Sequence, residues 1–256
     1  MELWSKEHTQ TLLPAIGVML IIAVMLRLTI GKKSLKVRMI PFQILAVILF
    51  ALEVGKQIVS YKNGYDLYHL PFHFCSLFIF MLPLMAFYRG KYQQTVFQIT
   101  MAICGATTLL TVVYPCLIYS ADNIKEFFTV YLSMHTVAFH NIVIFEFILI
   151  VALGLVEPEH KGGAKSVAIF TVCFCVVSAS MAYILKTNFN NFYVCNIAPL
   201  ETVRLSVQNA LGPVVAGLMY VLIVTVMDIL VVQLAYWLSR CLLKLLKRAE
   251  APRTVN

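Results

Sequence analysis

The sequence predicts an all-α protein, a polytopic bundle of about seven transmembrane helices. Three observations support this class: 61% of the residues are hydrophobic, only 12% are charged, and the mean hydropathy is +0.85. A soluble domain is typically about 45–50% apolar and about 25% charged. The apolar residues recur along the whole chain, which indicates one integral membrane domain over residues 1–256 and no separate soluble domain.

Seven apolar segments have the length of about 20 residues that a helix needs to cross a hydrocarbon core of about 30 Å. They are predicted at residues 12–29, 40–60, 70–88, 95–119, 128–156, 164–185 and 212–238. The third segment begins with Pro71, which fits the first turn of a helix because its missing N–H has no partner there. The other segments are bounded by the polar and charged connections between them.

The connection over residues 186–211 is long and polar, and it carries four asparagines before Pro199. Apolar residues with helical spacing follow at Leu200, Val203, Val207 and Leu211. We expect this outer loop to pack over one end of the bundle, with a solvated loop as the alternative. Cys195 lies in this loop and has no obvious disulfide partner.

The distribution of Lys and Arg predicts how the bundle is oriented. Alternate connections divide these residues 14 to five, and the cytoplasmic side is the one that is richer in basic residues. The richer side carries Arg27, Lys32, Lys33, Lys36, Arg38, Arg89, Lys91, Lys161, Lys165, Arg240, Lys244, Lys247, Arg248 and Arg253. The N-terminus is therefore predicted outside and the C-terminus in the cytoplasm, which requires an odd number of spans. The basic residues that give the net charge of +8 flank the membrane spans, which does not indicate a nucleic-acid-binding protein.

Ionisable residues inside the spans indicate a candidate site. Such a group costs roughly 2–4 kcal/mol in hydrocarbon, so it is rare without a purpose. The predicted topology places most of them near the outer membrane face. They are Glu53, Lys56, His69, His73, Cys75, His135 and His140.

The third and fifth spans carry the thiol and the imidazoles. Cys75 is predicted ~6–8 Å below the outer boundary, and His135 and His140 lie ~10 Å and ~18 Å deep. A thiol beside an imidazole is a workable covalent catalyst, because the base produces the thiolate. Alternatively, His69 and His73 share a helix face by their i, i+4 spacing and could bind a metal together with His140.

The second span supplies a carboxylate. Glu53 and Gln57 share a face by i, i+4 spacing, and Glu53 and Lys56 could form an ion pair. The functional hypothesis is that Glu53 orients an imidazole, as in a catalytic triad. Asp228 and Glu146 are interpreted as interhelical hydrogen-bonding residues.

The remaining cysteines do not form a CxxC pair or a zinc-finger spacing. Those in apolar segments are interpreted as small packing residues, namely Cys104, Cys116, Cys173, Cys175 and Cys241.

The run LPFHFCSLFIFMLPL, together with Glu53 and Gln57, resembles the YwaF-like family of multi-pass bacterial membrane proteins. NFNNFYV, the later Pro199 and LGP at 211–213, and FHNIVI around His140 resemble other segments of that family. The YwaF-like family is similar to an animal membrane acyltransferase family that remodels ether phospholipids through a cysteine and a histidine. The resemblance implies that Cys75 is the nucleophile and His140 its base.

The predicted function is therefore lipid acyl transfer, or acyl hydrolysis, in an outward-facing pocket in the bacterial plasma membrane. The substrate would be a membrane phospholipid or lysophospholipid, and no cofactor or metal is expected. His73, Asn190 and Asn191 are candidate donors to the oxyanion, and Glu53, Gln57 and His135 are supporting residues. The alternatives are a small-molecule binding or transport protein and a metal-dependent membrane hydrolase.

Overall fold

Helices are the regular secondary structure of the residues that the computed structural model describes, 3–194 and 198–250, and no β-strand occurs among them. This confirms the predicted all-α class. Cys195 lies outside the described residues, so its surroundings stay untested.

Eleven α-helices follow one another over this part of the chain. They are α1 (Lys6–Ile30), α2 (Leu35–Arg38), α3 (Ile40–Lys62), α4 (Phe78–Phe87), α5 (Gln93–Val113), α6 (Pro115–Ile118), α7 (Ala121–Lys125), α8 (Tyr131–Ala152), α9 (Gly163–Leu185), α10 (Ala198–Leu211) and α11 (Pro213–Glu250). Short 3₁₀ turns lie at Leu67–His69, Cys75–Leu77 and Phe189–Asn191.

Six of the described helical segments are long and apolar enough to cross a membrane: α1, α2 with α3, α5, α8, α9 and α11. The predicted third span differs, because its apolar helix covers only Cys75–Phe87. Pro71 lies in irregular backbone before this helix, not in a first helical turn. The predicted fourth span is also shorter than expected, since α5 ends at Val113 two residues before Pro115.

The bundle is built around α5. Two-thirds of its spanning window is buried, against 6% for α1, which lies at the edge. Helix α5 packs on α4, α8, α9 and α11, whereas α1 packs on α8 and α7. Helix α10 packs along α11, which confirms the helical periodicity predicted for the second half of the 186–211 connection.

Three arginines on other helices donate hydrogen bonds to the connection between α8 and α9, at one end of the bundle. Arg27 of α1 donates to the carbonyl of Ala152, and Arg38 of α2 donates to the carbonyl of Leu153 at 3.0 Å. Arg240 of α11 donates to the carbonyl of Pro158. The bonds to Ala152 and Leu153 satisfy carbonyls that the end of α8 leaves without a helical partner. The basic end of the bundle is thereby tied together by one connection.

Candidate functional site

A buried ion pair stands at the centre of the candidate site. Glu53 and Lys56 of α3 are each about nine-tenths buried, and Lys56 Nζ lies 2.8 Å from Glu53 Oε1. The same carboxylate oxygen accepts a hydrogen bond of 2.7 Å from Gln57 Nε2. Both contacts follow from i, i+3 and i, i+4 spacing on one helix, as the sequence predicts.

The second oxygen of the Glu53 carboxylate faces helix α8. Glu53 Oε2 lies 3.4 Å from His135 Nε2, which is within ion-pair distance. The two atoms are too poorly aligned for a hydrogen bond, and each is buried without another hydrogen-bond partner. The pair therefore has the composition of a carboxylate–imidazole dyad, in which the Glu53 carboxylate faces the ring of His135.

Polar contacts extend the cluster into the irregular segment after α3. Gln57 Nε2 also donates to the carbonyl of His69 at 3.1 Å, and the Tyr65 hydroxyl donates to Gln57 Oε1 at 2.7 Å. Ser60 Oγ lies 2.6 Å from His69 Nδ1. Burial lowers the pKa of the His69 imidazole, and the positive charge of Lys56 lowers it further. His69 is thereby favoured in its neutral form beside the ion pair.

A groove of about 590 Å³ opens beside this cluster on the outer surface of α3. Glu53, Gln57, Lys62 and Tyr65 supply its polar lining. Its apolar wall includes Phe50, 60% exposed, and Tyr61, 79% exposed. Exposed apolar side chains on a helix that can cross a membrane are typical of a lipid-facing surface, and the groove connects this surface with the Glu53 cluster.

His73 lies in the segment that replaces the start of the third span. Its Nε2 donates to the carbonyl of Tyr68 at 3.0 Å, so Nδ1 is the acceptor of the neutral ring. The backbone N–H of Asn190 points at this Nδ1 from 3.5 Å. His69 ends a 3₁₀ turn and His73 lies in irregular backbone, so the two do not share the helix face on which the alternative metal site depended. The described residues include no group of three or more His, Cys, Asp and Glu side chains arranged to hold a metal ion.

The asparagine-rich turn is anchored on α11. Asn190 Nδ2 donates to Asp228 Oδ2 at 2.7 Å, and Cys175 of α9 donates its thiol hydrogen to the same oxygen at 3.5 Å. Asn190 and Asn191 adopt left-handed backbone conformations with φ of 48° and 60°, which asparagine tolerates better than most residues. The side-chain amide of Asn190 and the N–H of His73 are therefore already engaged. As oxyanion donors they would have to exchange these partners.

Cys75 and His140 lie in different surroundings. Cys75 begins the short 3₁₀ turn before α4, within electrostatic range of Lys56. His140 Nδ1 donates to the carbonyl of Thr136 at 2.7 Å, and its ring lies 6.0 Å from that of Tyr119. No hydrogen bond joins Cys75 to His140 among the contacts of the described residues, so their proposed pairing stays a prediction.

The sequence interpretation missed a contact made by each of three residues. Asp228 was expected to bond between helices, which Cys175 confirms, but its second role in holding Asn190 was not predicted. His8 and Cys116 lie 3.8 Å apart at their nearest polar atoms, although Cys116 was interpreted as a packing residue. Ser5 was the sequence signal that could have revealed His8. A serine at this position fits a helix N-cap, so α1 begins before its predicted start at residue 12.

The comparisons with known proteins identify one family. The model of the TMEM164 family matches residues 3–238, nearly the whole chain. No curated protein and no solved structure matches the sequence.

Proposed function

Since the chain belongs to the TMEM164 family, a family of multi-pass membrane proteins, we propose that it is a membrane-embedded enzyme that transfers or hydrolyses a lipid acyl group. The observation that carries this proposal is the buried Glu53–His135 pair beside a groove that opens toward lipid. The proposed substrate is a membrane phospholipid or lysophospholipid, whose acyl chain would lie against Phe50 and Ile58. A bacterial plasma membrane remains the proposed location.

The energetic cost of the cluster supports a functional role. Burying an ion pair gains little net stability, because desolvation of both charges offsets their attraction. Glu53 and Lys56 are buried together all the same, and the sole carboxylate oxygen of Glu53 with no hydrogen bond faces an imidazole. Perturbed, incompletely satisfied charges of this kind are concentrated at sites of chemistry.

Cys75 is the proposed nucleophile. In this reaction its thiol gives a proton to an imidazole, and the thiolate sulfur attacks the ester carbonyl of the lipid. The ester C–O bond then breaks, and the imidazolium returns the proton to the leaving lysolipid alkoxide. The acyl thioester finally passes to a lysolipid hydroxyl or to water. Burial of Cys75 opposes the thiolate form, and the nearby ammonium of Lys56 offsets part of that cost.

Two imidazoles are candidates for the base. Glu53 supports His135, because a carboxylate orients the ring and stabilises the imidazolium that forms. His140, the base that the resemblance implies, contacts the Thr136 carbonyl and the Tyr119 ring. The described contacts of His140 include no carboxylate, so the geometry favours His135.

Acyl transfer from a fluorescent phospholipid in nanodiscs tests the proposal. We expect Cys75→Ala to abolish turnover, and His135→Gln to lower the rate about 10²–10⁴-fold. Glu53→Gln should lower it less, because the imidazole remains. Cys173→Ala is the matched control, since Cys173 is an exposed thiol of α9 away from the cluster. Wild-type turnover by Cys75→Ala would exclude the covalent mechanism. A loss of this size in His140→Gln but not in His135→Gln would identify His140 as the base.

A further inference from the structure

A second thiol–imidazole pair lies outside the Glu53 cluster, at the end of the bundle where α1 begins. His8, in the first turn of α1, has no exposed surface. Its Nδ1 lies 3.8 Å from the Cys116 sulfur, a distance at which a thiol can donate a hydrogen bond. Cys116 is half-buried on the short helix α6, so its sulfur is held against the imidazole without being sealed in the core.

The contacts of His8 define which nitrogen can act as a base. Its Nε2 lies 3.0 Å from the carbonyl of Tyr119, which can only accept, so Nε2 carries the hydrogen in the neutral ring. Nδ1 therefore carries the one in-plane lone pair, which the Ser5 hydroxyl at 2.8 Å shares with the Cys116 thiol at 3.8 Å, so Ser5 must give up this acceptor when the thiol transfers its proton. The backbone carbonyl thus orients the imidazole, as a carboxylate does in a catalytic triad, with the basic nitrogen toward Cys116.

The surroundings keep this arrangement in place. Tyr119 is 4% exposed, and its ring lies 5.2 Å from the His8 ring and 6.0 Å from the ring of His140. Lys125 of α7 lies 3.5 Å from Glu7, which ties the segment after α6 to the start of α1. The imidazole is therefore positioned by buried contacts, and the thiol already lies beside it.

The position of the pair indicates the electrophile. Helix α6 follows the end of the membrane-spanning α5, so Cys116 lies near the level at which hydrocarbon gives way to the interface. The ester carbonyls of membrane lipids lie at this level, and a thiolate attacks such carbonyls. Helix α6 also presents few charges, which suits an acyl donor better than an ionic one.

We propose that Cys116 is a nucleophilic thiol, activated by His8, that accepts an acyl group at this end of the bundle. In the step, the Cys116 S–H proton passes to His8 Nδ1 and the sulfur attacks the acyl carbonyl. The donor's C–O or C–S bond breaks as a thioester forms, and His8 returns the proton to the leaving alkoxide or thiolate. The proposal does not depend on the Glu53 cluster or on Cys75.

Alkylation by iodoacetamide, followed residue by residue by mass spectrometry on the purified full chain, tests the activation of the thiol. Cys241 is the internal reference, because it is an exposed thiol at the other end of the bundle. We expect Cys116 to react at least about tenfold faster than Cys241 at pH 7 despite its lower exposure. His8→Gln keeps a donor for the Tyr119 carbonyl but has no base, and it should remove that advantage.

His160→Gln is the matched control and should leave the rate at Cys116 unchanged. An unchanged alkylation rate at Cys241 in His8→Gln shows that the bundle is intact. If the Cys241 rate changes, His8→Asn serves as the second variant, and it must show the same loss of rate at Cys116. Equal rates at Cys116 in wild type and both His8 variants would overturn the proposal, as would a Cys116 rate no higher than that of Cys241.

Acyl transfer itself is tested with two donors. Phosphatidylcholine vesicles and palmitoyl-coenzyme A are incubated separately with the protein, and the Cys116 peptide is analysed for a hydroxylamine-labile acyl mass. Acylation from the vesicles identifies a lipid ester as donor, and acylation from palmitoyl-coenzyme A identifies a thioester. The absence of acyl mass with both donors overturns the acyl-acceptor role. The Cys75→Ala variant keeps the acylation of Cys116, which separates this site from the proposed enzyme activity.

Discussion

Gly55 sets the distance between α3 and α8 beside the candidate site. A Cβ added at Gly55 would lie 1.9 Å from the hydroxyl oxygen of Tyr131, which donates to the carbonyl of Leu52 at 3.0 Å. Tyr131 precedes His135 by one helical turn, so both side chains project from the same face of α8. The missing side chain at Gly55 therefore allows His135 to approach Glu53.

We expect Gly55→Ala to push Tyr131 away and to weaken the bundle by about 1–3 kcal/mol, the usual cost of overpacking. Acyl-transfer activity should fall with it, because Glu53 and His135 move apart. Gly17→Ala is the control, since nothing lies within 4 Å of the position of its Cβ. Melting temperatures in detergent, with turnover in nanodiscs, provide the measurement. Unchanged values for both variants would show that α3 and α8 have room to adjust.

Contacts within one helix could be predicted from the sequence, and contacts between helices could not. Glu53 with Lys56 and Gln57 follow from spacing alone, so these pairs were foreseen. The choice between His135 and His140 depends on how α8 is rotated about its axis, and a separation of five residues leaves that rotation open. Only the packed structure brings His135 to Glu53 and leaves His140 near Tyr119.

At the scale of the element, the third predicted span shows that hydropathy alone does not give the start of a helix. Its apolar composition was recognised, but the irregular backbone over residues 70–74 was not. This backbone persists because side chains from other elements satisfy its carbonyls. Ser178 of α9 donates to Phe72 at 2.8 Å, and Gln57 donates to His69. Composition does not reveal such distant donors, whereas the backbone hydrogen bonds inside a regular helix come from its own residues.

The asparagine-rich turn depends on Asp228 for its position. We expect Asp228→Ala to release Asn190 and to raise hydrogen exchange across Phe189–Asn191, because the 2.7 Å bond to the carboxylate is lost. Asn190→Gly should have a similar effect, since glycine keeps the left-handed backbone but lacks the amide. Asp122→Ala is the control, at a carboxylate 77% exposed on α7. Protection that survives in both variants would mean that the ring contacts of Phe189 hold the turn by themselves.

For the whole molecule, orientation in the membrane is the untested part of the fold. Ser34 and Asn63 are exposed at opposite ends of the α2–α3 segment, so one of them faces each side of the membrane. The bias of basic residues predicts that Ser34→Cys resists a membrane-impermeant thiol reagent in intact cells, while Asn63→Cys reacts. The wild-type chain gives the background of its native cysteines. The reverse labelling pattern would mean that the bundle is inverted.

The short helix before Tyr88 has a mechanical consequence for the surrounding bilayer. Cys75–Phe87 rises only about 20 Å, against a hydrocarbon thickness of about 30 Å. A bilayer meets such a mismatch by thinning locally, at a modest cost per ångström. Neighbouring lipids beside α4 are then drawn toward the midplane, and their glycerol esters descend toward the depth of Cys75. For the proposed acyl transfer, this thinning would bring the lipid ester toward the site without lifting the lipid out of the bilayer.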